Sequence, residues 1–228
     1  MINSENSSTH GDSNQTIIQG RTDEEQQELN DLICEWNDLS FEDSSISSLA
    51  NQILLDGPED LYYGLIGLRK HLARDEEPPI EEVIETNIVP RLIELVAQAS
   101  STKKIKLEAA WCLRNLCSGT IEETHYITGY GAIPGFLALI ESEETELVQQ
   151  AMWGLANIAG DSFELQTQVF QQNGVEIIMK ALENSSVIKL KRIGVWALSN
   201  LCKAGKLLQY GWIEKTIPFL CNYLKNET

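Results

Sequence analysis

The stretch Leu147-Val148-Gln149-Gln150-Ala151-Met152-Trp153-Gly154-Leu155-Ala156-Asn157-Ile158-Ala159-Gly160-Asp161-Ser162 decides how the chain is read, because it occurs three times. Trp111 and Asn115 lie 42 residues before Trp153 and Asn157, and Trp196 and Asn200 lie 43 residues after them. Each pair closes a helix-forming run and is followed by a turn: Ser118-Gly119-Thr120, Gly160-Asp161-Ser162 and Lys203-Ala204-Gly205. A repeat of about 40 to 47 residues is the period of an α-solenoid of armadillo or HEAT type.

Two stripes recur within each run. Ala151, Leu155 and Ile158 match Ala109, Leu113 and Leu116 upstream and Gly194, Leu198 and Leu201 downstream, at the spacing of one helix face. This is the packing stripe. Trp153 falls roughly opposite it, in line with Glu146, Gln150 and Asn157. A large aromatic on a polar stripe is not what core filling selects.

Working outward, the chain has 228 residues, 43% of them apolar, enough for a sizeable folded body. Its charge of −17 is uneven. Residues 1–60 hold 14 acids and one base, Arg21, whereas residues 61–228 hold 20 acids and 16 bases. The body is therefore only mildly acidic, and net charge says little about its partner. No face gathers Lys and Arg for nucleic acid, and no run of about 18 apolar residues spans a bilayer. The five cysteines form no Cys-x-x-Cys pair, so neither a metal nor a disulfide framework is expected. His10, His71 and His125 stand far apart, with no phosphate loop or nucleophile elbow, so neither an enzyme nor a cofactor site is expected.

Residues 1–40 read as an acidic, largely disordered segment with a short amphipathic helix at 24–39, its apolar face made by Leu29, Leu32, Ile33, Trp36 and Leu39. Residues 41–228 read as the repeat domain. Helices are expected near Ser48–Leu55 and Glu59–Arg74, then Ile80–Thr86, Pro90–Ala99 and Lys104–Cys117. Asn87 before Pro90 and Gly131 before Pro134 mark left-handed turns between the first and second helices of a repeat, with Gly174 taking this place in the fourth. Residues 206–228, containing Ile217-Pro218, are expected to supply two helices of a fifth repeat and to expose Phe219, Leu220, Tyr223 and Leu224.

The three motifs, running from Glu108 to Thr120, from Gln150 to Asp161 and from Trp196 to Cys202, resemble those of the importin-α (karyopherin-α) family across residues 41–228. The resemblance implies an all-α, right-handed superhelical solenoid of armadillo repeats, about four and part of a fifth. It also implies an adaptor found in cytoplasm and nucleus that binds lysine- and arginine-rich nuclear localisation signals for import. The implied peptide-binding residues are Trp111, Asn115, Gly119, Thr124, Gln150, Trp153, Asn157, Asp161, Trp196 and Asn200. Asp161 would pair with a key lysine; the alternative, from its position before Ser162, is a helix N-cap.

The chemistry suits such a ligand independently of the family. Indole faces cover cationic stems, and asparagine amides suit an extended main chain. Against the resemblance, residues 1–60 lack the basic stretch with which the family binds importin-β, which counts against importin-β as a partner. A non-transport interaction protein, competing for signals or holding basic proteins, is the alternative.

Overall fold

The computed structural model describes residues 38–203 except 56, 75 and 76, together with 210–226 and the isolated positions 27, 34 and 35. The amphipathic helix expected at 24–39 lies almost wholly outside the described residues. Among those described there are twelve helices and no strand.

Helices α1 (Ile46–Leu54) and α2 (Pro58–Leu72) form the first repeat. The second is α3 (Ile80–Glu85), α4 (Val89–Ala97) and α5 (Lys103–Leu116); the third is α6 (Ile121–Gly129), α7 (Ala132–Ile140) and α8 (Thr145–Asp161). The fourth is α9 (Phe163–Gln171), α10 (Gly174–Asn184) and α11 (Ile188–Leu201), and α12 (Tyr210–Asn226) follows. The third helices α2, α5, α8 and α11 pack side by side in chain order, and the second helices α4, α7 and α10 form a parallel outer row. Each repeat thus touches mainly its neighbours, as a solenoid requires.

The packing stripe behaves as its spacing implies. Ala109, Leu113, Leu116, Ala151, Leu155, Ile158, Leu198 and Leu201 are all buried. Small residues allow close approach at two points: a Cβ on Gly194 would meet Leu182 Cδ2 at 2.5 Å, and one on Gly154 would meet Phe136 Cζ at 2.4 Å. Helix starts follow their capping residues. Thr102, Thr120 and Ser162 each accept a bond from the backbone N–H three residues on, and Glu123 completes a capping box with Thr120.

Three turns show how chain direction is set. Asn87 and Gly131 have φ of 59° and 99°, the left-handed conformation expected of them. In the fourth repeat the left-handed residue is Asn173, φ 60°, and not Gly174. Gly174 instead opens α10, where a Cβ would lie 2.8 Å from Val169 O, and Glu176 stands in register with Pro134. The same reasoning corrects the C-terminal reading. Residues 210–226 form one helix with Pro218 inside it, not two. Lys215 and Thr216 occupy the register of Gly131 and Ala132, and neither favours the left-handed turn that would break the helix. Phe219 and Tyr223 stack at 5.6 Å and are half-buried with Leu220 against the core, while Ile217 is exposed.

His71 is structural. It is buried in α2 with Nε2 2.8 Å from Phe41 O, so that nitrogen carries the proton and donates.

Candidate functional site

Helices α5, α8 and α11 carry the repeated tryptophans in one row. Trp153 and Trp196 are each 39% exposed and meet edge to face, with ring centroids 5.8 Å apart and planes at 69°. Trp111 is half-buried, with Nε1 buried and unpartnered. The row has a fourth member that the tryptophan pattern does not reveal. Arg69, 42 residues before Trp111, occupies the tryptophan register on α2 and lies 4.7 Å from the Trp111 ring centroid while pairing with Glu108.

The asparagines do more than face a ligand. Asn157 Nδ2 donates to Arg114 O at 3.1 Å, and Asn200 Nδ2 donates to Ala156 O at 2.8 Å, so each amide bridges to the third helix of the preceding repeat. Asn200 is only 3% exposed, and its Oδ1 is buried without a partner. Asn115, 8% exposed, accepts from Arg114 Nε and Nη2 through Oδ1 and keeps a buried, unpartnered Nδ2. Expected as free clamps, these amides are partly committed to the chain's own groups, because a buried carboxamide must find partners to offset its desolvation.

Asp161 is the last residue of α8, and the N-cap of α9 is Ser162, whose Oγ accepts from Leu165 N at 3.2 Å. The capping alternative for Asp161 is therefore removed. A carboxylate at a helix C-terminus is electrostatically unfavourable, and this one lies within ion-pair distance of no cation among the described residues. Its Oδ2 and Oγ1 of the fully buried Thr124 are both buried and make no hydrogen bond of normal geometry, although the Thr124 hydroxyl lies near enough to favour the ionised carboxylate. Burial raises the Asp161 carboxyl above its ordinary value, against opposing pulls from the Thr124 hydroxyl and His125. Gly119, at the turn between α5 and α6, is packed so closely that a Cβ would lie 2.3 Å from Glu123 Oε2. Gln150 accepts from Arg114 Nη1 at 2.9 Å.

A raised carboxyl value in the folded state means that ionising Asp161 disfavours the fold: its contribution is fully present below the unfolded value and is lost as pH rises through the folded one. Asp161→Asn is accordingly expected to raise Tm at pH 7 and to give no gain below about pH 3, where both states are protonated. Paired thermal melts at the two pH values check this. An equal shift at both would mean the effect is not electrostatic.

Gln166 is a further residue that sequence reasoning did not single out. Buried on α9, it donates through Nε2 to Ala159 O at 2.9 Å and Asn200 O at 3.0 Å, tying the ends of α8 and α11 together. Forty-two residues upstream its register holds Thr124, a different side chain, so recurrence of one residue type did not mark it. A half-open hollow of about 500 Å³ lies at the other end of these helices between Ile140–Val148 and Ile177–Leu190 and includes none of the row's residues.

Fold and row together define an armadillo-repeat protein with a tryptophan-lined face. The armadillo/β-catenin-like repeat model matches residues 76–118 and 121–160. A designed armadillo repeat protein in complex with the peptide (KR)4 superposes with a TM-score of 0.72 at 20% identity, covering 90% of this chain and 87% of that one. Within this class the chain is related to the importin α subunits. It is 34% identical to importin subunit alpha-2 of Arabidopsis thaliana over 67% of this chain and 28% of the relative. It is 37% identical to importin subunit alpha-1b of Oryza sativa subsp. japonica over 59% and 25%, and 33% identical to importin subunit alpha-B of Dictyostelium discoideum over 78% and 35%. The matched region spans about a third or less of those relatives' length.

Proposed function

We propose that the row from Trp111 to Trp196 binds a short, extended, lysine-rich peptide of the nuclear localisation type, and that the protein serves as an adaptor for nuclear import, moving between cytoplasm and nucleus. The observation that carries this reading is Asp161. Its half-buried carboxylate ends the helix that carries Trp153, with one buried oxygen lacking a well-formed hydrogen bond. A lysine ammonium supplies what that oxygen lacks, while the indole faces cover its apolar stem. Third helices about 8 to 10 Å apart match two or three residues of a strand rising about 3.3 Å per residue. Kinship with importin α subunits supports the same ligand class.

Fluorescence anisotropy of a labelled lysine-rich peptide at fixed low salt tests it. Binding that weakens steeply with salt is expected, and no binding below millimolar peptide would overturn the reading. Removing residues 1–40 should leave affinity within about twofold, since that segment holds one base against many acids and offers no competing basic peptide. A large gain on removal would contradict this. Asn157→Ala should weaken lysine-rich and alanine-substituted peptides alike, by about threefold to tenfold, because its amide meets main chain rather than charge.

A further inference from the structure

Building on the peptide reading, we infer that Arg114 is a resident occupant of the groove, filling the cation slot between Trp111 and Trp153 and restricting the ligand's basic contacts to those nearer Asp161. Its guanidinium lies 5.2 Å from the Trp111 ring centroid and 5.1 Å from that of Trp153. Three of its N–H groups are engaged, Nη1 with Gln150 Oε1 at 2.9 Å and Nε and Nη2 with Asn115 Oδ1 at 3.1 and 2.8 Å. Two aromatic faces and two amide oxygens are the surroundings a lysine or arginine of a bound peptide would need.

The neighbouring repeats show that the fold does not demand an arginine here. The same register holds Ala156 on α8 and Ser199 on α11. Nor is Arg114 held by charge: among the described residues it forms no ion pair, and the charged side chain that acts most on it is Arg69, another cation. Burial and Arg69 both lower its proton affinity, although a guanidinium remains charged at neutral pH. Trp111 Nε1 and Asn115 Nδ2, two buried donors on the side chains it touches, have no acceptor. A peptide carbonyl in its place would supply one.

The test compares the wild-type chain with Arg114→Ser, which matches Ser199, and with Arg114→Ala. Two labelled peptides serve as probes: one with five consecutive basic residues, and one with a single lysine among alanines. Emptying the slot is expected to tighten the five-base peptide about fivefold and to leave the single-lysine peptide within about twofold. Tryptophan emission should shift in both variants without peptide, since the cation leaves two ring faces. Weaker binding of both peptides would show that Arg114 contacts the ligand rather than displacing it, and would overturn the inference. Unchanged affinity for the five-base peptide would do the same while leaving the peptide reading intact. If neither wild type nor variant binds either peptide, the peptide reading falls, and this inference with it.

Discussion

Asp161→Lys is expected to weaken binding of a lysine-rich peptide at least about tenfold while leaving the helical circular dichroism of the parent. The lost contact is a charge-assisted hydrogen bond in a partly desolvated slot, a contact worth about 1.5 to 3 kcal/mol, and a like charge in its place adds repulsion. The fold should tolerate the change, because Ser162 and not Asp161 caps α9. A lysine at the C-terminal end of α8 is also the charge that a helix end prefers. The variant should therefore separate function from stability: its melting temperature stays level or rises while affinity falls. A peptide with alanine at the matching position should bind wild type and variant nearly equally, which identifies the lysine as the group being read. If Asp161→Lys binds the lysine-rich peptide undiminished, Asp161 is not the charge reader.

The solenoid was legible because its signal is redundant. Three copies of one stripe, two left-handed turn residues and a 42-residue spacing all point to the same register, and the helices found at 58–72, 80–85, 89–97 and 103–116 lie within a few residues of those expected. Reading failed where the repeat itself drifts. At Asn173-Gly174 two turn-compatible residues adjoin, and only the steric demand of Val169 on Gly174 assigns their roles. At 215–216 the turn residue is gone, so Ile217-Pro218 alone suggested a break that the backbone does not make. The site was legible in its repeated members and not in its exceptions. Arg69 and Arg114 sit at positions where other repeats have tryptophan, alanine or serine, and a search for recurrence passes over what occurs once. Asn115, Asn157 and Asn200 were visible as a row, but the inter-repeat bonds of Asn157 and Asn200 depend on how closely the third helices approach, a distance that spacing along one helix does not carry.

Within the third repeat the spacing of α7 and α8 rests on Phe136, and Phe136→Ala is expected to be the most destabilising single change considered. The ring is about 1% exposed and lies directly over Gly154 on α8, one residue from Trp153. Truncating a buried phenylalanine costs about 3 to 5 kcal/mol through lost burial and an unfilled cavity. In a solenoid that loss falls on one repeat and on its two neighbouring faces. Denaturant melts followed by far-UV circular dichroism should show the midpoint fall, and a second, shallower transition is expected if the repeats flanking the cavity uncouple. Gly154→Ala supplies the control for mechanism. In the wild-type background its Cβ would meet the ring at 2.4 Å, so either α7 and α8 separate or the ring leaves its rotamer, and stability drops. In the Phe136→Ala background the same methyl enters vacated space and replaces a helical glycine by the best helix former, so it should restore about 1 kcal/mol. A change of sign between the two backgrounds is the signature of direct contact. Additive losses would mean that Gly154 is required for another reason, and that the ring does not set the spacing between the outer row and the tryptophan-bearing helix.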